Sequence, residues 1–201
     1  MQKNANLGNN EFETYLSKLD AFFNGFRATS LEIVSSATPW DIVMANAIPE
    51  NGMKTYLTKG FSVFHLGNDQ PPPSKIRQEY AFTIDTEYGD YNAIDELNLV
   101  AFAVMYRGFG IVHEEVINYE KSPYWQSLQT KPRFRFAIAA ERYWLPENLR
   151  QLDDKIPMKV MEILPLHRKE AELAVNDNPS FISLLESERL DILDLKRKSA
   201  V

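Results

Sequence analysis

The sequence contains no cysteine, and this absence removes several kinds of chemistry at once. Structural disulfides, thiolate zinc sites and cysteine nucleophiles are all excluded. The absence agrees with a reducing compartment. Residues 1–10 are polar and lack the apolar core of a secretory signal. We therefore expect a cytoplasmic protein.

Long apolar runs are also missing. The longest, Leu97 to Tyr106, contains Asn98 and falls far short of the roughly 20 apolar residues that cross a bilayer. No membrane-spanning segment is predicted. The 8 glycines and 11 prolines are scattered, apart from three consecutive prolines at 71–73. This scatter excludes collagen-like and low-complexity classes.

Positive charge is in deficit, with 22 basic against 28 acidic residues and a formal net charge of −6. The electrostatic field of such a molecule repels polyanions and attracts basic partners. The basic run at residues 196–198 is too short to support a nucleic-acid interface. We therefore predict no nucleic-acid partner.

What the sequence does contain is apolar and aromatic residues, at 44% and 12% of the chain. This content is enough to build the core of one domain without a metal or a disulfide. Candidate strands and helices intermix without a strict alternation, which favours the α+β class. We predict a single domain in which a mixed, mainly antiparallel β-sheet packs against helices, with a helical carboxy-terminal end.

Hydrophobic periodicity locates most of the elements. A capping pattern and an apolar stripe predict a first helix over Glu11–Phe23, and Trp40–Ala47 is compatible with either helix or strand. The other predicted helices are Ile94 to about Gly108, His167–Val175, and one opened by Asp177-Asn178-Pro179. Ser122–Trp125 is predicted as a loop. The predicted strands are Leu31–Val34, Tyr56–Leu66 with a bulge near Gly60, Gln78–Asp85, Ile111–Tyr119, Arg133–Ala140 and Met158–Leu164.

Catalytic motifs are absent. The histidines are His65, His113 and His167, and none lies in a zinc-binding helix motif. Ser62 stands near Gly60 without a nucleophile-elbow sequence. We expect no enzymatic activity and no cofactor. The alternative hypothesis is a small hydrolase or metal-dependent enzyme that uses one of the three histidines with nearby carboxylates.

Arg77 and Glu79 are separated by one residue in a predicted strand, so their side chains point to the same face and could form an ion pair. An ion pair inside a sheet most often supports the fold. We therefore predict that both residues are partly buried and have a structural role.

Large aromatic residues in predicted loops are candidate binding anchors. Tyr124 and Trp125 follow a proline, and Trp144 precedes one. Asp153 and Asp154 would supply a charged rim. We predict that at least one of these aromatic side chains is exposed and belongs to a partner-binding surface.

The order of several short motifs resembles the suppressor-of-fused family. Thr58, Gly60 and Ser62 match its Thr-x-Gly-x-Ser strand, and Arg77 with Glu79 matches the Arg-x-Glu that enters the next strand. Pro165 and Glu170 resemble its strand-to-helix junction. The resemblance covers residues 31–200, and residues 1–30 are predicted to form an amino-terminal helix and lead-in of the same domain.

The resemblance implies protein binding without catalysis. Short bacterial members of the family look like immunity proteins, which bind and neutralise a cognate polymorphic toxin. We therefore expect another protein as the partner, with a basic toxin domain as the specific hypothesis. The animal protein's second, carboxy-terminal domain has no counterpart in this sequence, so we do not expect a peptide to be clamped between two domains.

Overall fold

A computed structural model describes residues 32–46, 51–64, 66–68, 74–88, 93–140, 158–187, 192 and 194–201, together with Ser17. In the described part, eight strands and four α-helices form an α+β fold. The strand order is β1-β2-β3-β5-β8-β7-β6, with β4 paired to β5 off this path. Only the β5–β8 pairing is parallel, so the sheet is mixed and mainly antiparallel, as predicted.

The strands and helices are numbered here in chain order. The strands are β1 (Glu32–Ser35), β2 (Asp41–Asn46), β3 (Met53–Lys59), β4 (Leu66–Asn68), β5 (Ser74–Asp85), β6 (Val116–Asn118), β7 (Phe136–Ala140) and β8 (Met158–Leu166). The helices are α1 (Ala93–Arg107), α2 (Pro123–Ser127), α3 (Arg168–Asn176) and α4 (Asn178–Glu186).

The larger core lies between α1 and one face of the sheet. The buried stripe of α1 has the predicted helical spacing, and the helix ends at Gly108, whose φ of +78° is a left-handed conformation that glycine adopts without strain. The partner face is supplied by alternate residues of β5. Trp40 joins this core and donates its indole N–H to Asn98 at 3.1 Å. The residues that α1 contributes to this core include Leu97, Val100, Ala101 and Val104, and those of β5 include Tyr80, Phe82 and Ile84.

A second, smaller core lies between the two carboxy-terminal helices and the sheet. Ala171, Ala174 and Phe181 pack against Ile138 of β7 and Leu166 of β8. Asp177 begins α4 because its side chain accepts from the amide of Ser180 and a proline occupies the first turn. This cap was predicted correctly.

Several predicted boundaries are wrong. The strand predicted to run from Tyr56 to Leu66 stops at Lys59, because Gly60 turns the chain into a 3₁₀ turn before β4. Residues 111–115 are not a strand, and β6 is limited to residues 116–118, although the backbone of Glu114 and Glu115 also hydrogen-bonds to Ala139 of β7. Ser122–Trp125 is not a loop, because Ser122 caps α2 and Pro123 opens it. Pro165 does not end β8, since it pairs with Ala137 inside the strand.

Trp40–Ala47, which was compatible with helix or strand, contains β2. The helix predicted over Glu11–Phe23 lies outside the described residues, with the exception of Ser17. Among the helices that the structure describes, none is long and apolar enough to cross a membrane.

Candidate functional site

A buried carboxylate, Glu79, organises the turn that ends β3. Its Oε2 atom accepts a hydrogen bond from the Thr58 hydroxyl at 2.5 Å and from the Phe61 amide at 3.2 Å. Its Oε1 atom accepts from the Ser62 hydroxyl at 2.7 Å and from the amides of Gly60 and Ser62 at 2.9 and 3.0 Å. One carboxylate therefore satisfies five donors that the turn would otherwise bury without partners.

The local sequence explains why the turn forms here. Gly60 has a φ of +101°, which only glycine adopts readily, and Thr58 also accepts from the amide of Tyr80 at 2.9 Å. Burial raises the pKa of Glu79 to about 7, although the hydrogen bonds from Thr58 and Ser62 lower it. A carboxyl group with no exposed surface and five protein donors has no room for a substrate. It belongs to the scaffold.

Arg77 lies on the same strand face as Glu79 and is also buried, but the predicted ion pair between them does not form. All five hydrogen bonds of the Glu79 carboxylate go to residues 58–62. Side chains two residues apart along a strand begin about 7 Å apart, and the turn draws Glu79 away from Arg77.

The junction of Pro165 and Glu170 forms a second buried polar centre. Arg197, close to the carboxy terminus, donates to Glu170 Oε1 at 2.8 Å and to the carbonyl oxygen of Pro165 at 2.7 Å. The side chain of Arg197 is 6% exposed and that of Glu170 is 0% exposed. Glu170 also accepts from the amides of His167 at 2.8 Å and Ala200 at 3.0 Å. This centre fixes the start of α3 and the end of the chain together.

The carboxy-terminal segment is held by further contacts. Arg133 donates to the carbonyl oxygens of Leu195 and Arg197 at 3.0 and 2.8 Å, and the His167 ring lies 3.1 Å from the latter oxygen. The guanidinium of Arg197 also lies over the Phe134 ring. Burial lowers the pKa of Arg197 and Glu170 raises it. The segment that contains the basic run at residues 196–198 is therefore partly buried, with Leu195 and Arg197 inside the protein.

The predicted aromatic anchors behave differently from one another. Trp125 is in α2 rather than a loop and is only 6% exposed, so it belongs to the core. Tyr124 is half-buried, stacks on Phe102 with ring centroids 4.7 Å apart, and donates to Asp95 at 3.2 Å. Burial and then the Asp95 charge raise the pKa of the Tyr124 phenol. Trp144, Asp153 and Asp154 lie outside the described residues.

The histidines are not gathered at one site in the part of the chain that the structure describes. His113 is half-exposed beside Glu114, with a nitrogen–oxygen distance of 3.4 Å. His167 serves the start of α3, as described above, and His65 lies outside the described residues. Among the described residues, no three histidine, aspartate or glutamate side chains form a group that could hold a metal ion.

Exposed apolar side chains instead collect at the last turn of α1 and in the segment that follows it. Among the described residues, six large hydrophobic side chains are exposed, and three of them lie within residues 106–112. Tyr106 is 73% exposed, and Phe109 and Val112 are each 43% exposed. We call these three residues the loop face. In the sequence, Phe109 stands between Gly108 and Gly110 directly after the helix, a pattern typical of a helix cap and turn that does not by itself indicate an exposed anchor.

The segment that carries the loop face is rigidly held. The amide of Gly67 donates to the carbonyl oxygen of Gly108, and that of Gly110 donates to Gly67, both at 2.9 Å. The Gln78 side chain donates to the carbonyl oxygen of Ile111 at 2.6 Å and accepts from its amide at 2.8 Å. The backbone that carries these apolar side chains is therefore held by hydrogen bonds, which reduces the backbone entropy lost on binding.

Two further features of this segment are an ion pair that also binds its backbone and a residue with an unusual backbone conformation. The Glu115 carboxylate pairs with Arg107 and accepts from the amide of Val112 at 3.0 Å. Glu114 has a φ of +63°, which is uncommon for a residue with a side chain. Its carboxylate accepts from Asn178 of α4 at 2.5 Å. Strain of this kind collects at binding sites, where the surrounding structure imposes it.

We predict that Gln78→Ala loosens the loop face without unfolding the protein. The change removes both hydrogen bonds to Ile111 and one from the Tyr80 hydroxyl at 3.0 Å. Leaving buried polar groups without partners costs about 2 kcal/mol. Hydrogen exchange at the Ile111 amide should accelerate more than exchange in the middle of α1. Equal acceleration across the whole chain would show instead that Gln78 acts on global stability alone.

Taken together, the geometry defines an α+β domain built on a carboxylate-centred turn. The family model described as "Suppressor of fused protein (SUFU)" matches residues 36–198. A solved structure described as "the Sufu-Fu complex crystal structure" has a similar fold, with a TM-score of 0.59 at 14% sequence identity. The similarity covers 94% of this chain and 92% of that chain. No curated protein matches the sequence. The chain belongs to the suppressor-of-fused family, as the motifs had indicated.

Proposed function

We propose that this chain is a non-enzymatic module that binds another protein through the loop face. The observation that carries the proposal is the concentration of exposed Tyr106, Phe109 and Val112 on a rigid segment. Interfaces take most of their binding energy from a few such anchors in preorganised positions. Family membership and the similar structure, which is a complex of Sufu with another protein, support the same class of function.

The specific role that we propose is that of a cytoplasmic immunity protein, which binds and neutralises a toxin domain. The net charge of −6 would accelerate association with a basic partner. The fully enclosed Glu79, and the lack of a metal-binding group among the described residues, favour a protein that blocks the toxin by binding over one that acts on it chemically. The first test is to examine the neighbouring genes, one of which is expected to encode a protein that ends in a toxin domain.

Co-expression of this chain with the neighbouring toxin domain should rescue growth and yield a stable complex. Its interface should bury at least about 1,000 Å² in total. If the complex forms but growth is not rescued, the protein-binding class stands and the immunity role fails. If no neighbouring protein binds, the proposed function is lost.

We predict that Phe109→Ala weakens this complex at least about tenfold, mainly through faster dissociation, because anchors act on dissociation more than on association. Stability should change little, since the side chain is already 43% exposed. Surface plasmon resonance and thermal melting provide the two measurements. Val175→Ala is a matched control, because Val175 is an apolar residue that is 68% exposed on a different element, α3. An equal effect of both substitutions would contradict the assignment of the loop face.

A further inference from the structure

A groove lies between the last turns of α1 and the edge strand β6, and Tyr106 belongs to both the groove and the loop face. The groove has a volume of about 330 Å³. Sites for whole small molecules span about 300–1,000 Å³, so this groove is at the lower limit and suits one or two side chains. Its lining includes Ala103, Tyr106, Val116, Asn118 and Lys121.

The apolar part of the groove is suited to an aliphatic or aromatic side chain. Ala103 and Val116 are partly buried, and Tyr106 forms an exposed edge. Small residues on the helix face leave room that a larger side chain would fill. Burying an apolar side chain there removes apolar surface of both molecules from water, which favours binding.

The polar part of the groove supplies donors rather than acceptors. Asn118 Oδ1 already accepts from the amide of Glu120 at 2.9 Å, which leaves its Nδ2 hydrogens for a ligand. Lys121 is exposed and forms no ion pair among the residues that the structure describes. Arg107, the other cation of the lining, is already paired with Glu115. The available groups therefore match a carboxylate.

We propose that the groove receives an apolar side chain of the protein partner that is flanked by aspartate or glutamate, whose carboxylate accepts from Lys121 and Asn118. The proposal rests on the proposed function and names the chemistry of the partner segment. An acidic segment at the groove is compatible with a partner whose net charge is positive. Net charge acts over about 8 Å at physiological ionic strength, whereas the groove selects by direct contact.

Short peptides test this chemistry without the natural partner. The probes are two acetylated and amidated heptapeptides with one central phenylalanine, flanked in one by aspartate and glutamate and in the other by lysine. Titration into the ¹⁵N-labelled chain should shift the amide resonances of Ala103, Val116 and Lys121, with roughly millimolar affinity for so short a ligand. The acidic peptide should bind about threefold more tightly, as an exposed ion pair contributes little.

Two substitutions make the test specific. Lys121→Glu should reverse the preference between the peptides, while Lys169→Glu, the same charge change on an exposed residue of α3, should preserve it. Thermal melting checks that both variants fold. Equal binding of the two peptides, shifts confined to other surfaces, or no shifts at all would overturn the proposal. A natural partner that still binds and still depends on Phe109 would show that the proposed function survives that failure.

Discussion

Glu79→Ala should destabilise the protein by roughly 4 kcal/mol, one of the largest losses expected from any single substitution in this chain. The change removes the acceptor of five hydrogen bonds and leaves three backbone amides and two hydroxyls buried around a cavity. Glu79→Gln should cost less, about 2 kcal/mol, because it keeps the shape and one oxygen. The NH₂ group of the new amide side chain is itself a donor, and it would face donors from which the carboxylate oxygen accepted. Urea unfolding measures both losses.

The same carboxyl group predicts a pH dependence of stability. Its pKa in the folded state, about 7, lies above its ordinary value of 4.5, so between these pH values the folded protein binds more protons than the unfolded one. The contribution of Glu79 to stability is therefore fully present below pH 4.5 and is lost as the pH rises through 7. The total change is about 3 kcal/mol. The difference in stability between wild type and Glu79→Gln should therefore be larger below pH 4.5 by this amount and fall to about 2 kcal/mol as the pH rises above 7.

Two comparisons make the Glu79 predictions decisive. Glu172→Ala is the matched control, since Glu172 is exposed on α3, and it should change stability by less than about 0.5 kcal/mol. Parallel pH profiles for wild type and Glu79→Gln would contradict the raised pKa. A loss below about 1 kcal/mol for Glu79→Ala would contradict the scaffold role itself.

Arg197→Ala should destabilise the protein by about 3–5 kcal/mol, although it lies only four residues from the end of the chain. The substitution leaves the fully buried Glu170 carboxylate without its cation and the carbonyl oxygen of Pro165 without a donor. Both losses fall at the junction of β8 and α3. Thermal and urea unfolding should agree on the size of the effect.

The neighbours of Arg197 supply the controls. Lys196 and Lys198 have the same charge and are exposed, so replacing either with alanine should change stability by less than about 0.5 kcal/mol. The double variant Arg197→Met with Glu170→Leu should recover part of the loss, because apolar pairs often replace buried ion pairs at little cost. Similar losses for Arg197, Lys196 and Lys198 would show that net charge, rather than the buried pair, sets the effect.

Much of the fold could be predicted because local patterns dominate it. The α1 stripe, its glycine stop and the Asp177 cap are all readable within a few residues of sequence. The errors came where a tertiary contact overrides the pattern. Residues 111–115 were predicted as part of a strand, but Gln78 bonds the backbone of Ile111 and Glu115 bonds the amide of Val112, so the strand begins only at Val116.

The site was less predictable for the same reason. The family motif placed Glu79 in the scaffold, but nothing local could reveal its five donors. The Glu170–Arg197 pair joins residues 27 positions apart, and the sequence indicated only a basic tail. Tyr124 and Trp125 were chosen for their position in a predicted loop, which is in fact a capped helix. Exposure of Phe109 depends on how the chain leaves α1, which periodicity does not describe.

The position of β8 has a consequence for synthesis on the ribosome. Strand β8 lies in the sheet between β5 and β7, which are made earlier. These two strands can therefore pair with β8 only after residue 166 has left the exit tunnel. Until then, two strand edges stand open with unpaired backbone groups, and such edges recruit other chains. A nascent chain paused before β8 is therefore the species most prone to aggregation. Any pause before β8 has left the exit tunnel would prolong its lifetime, whereas a pause after β8 has emerged would not.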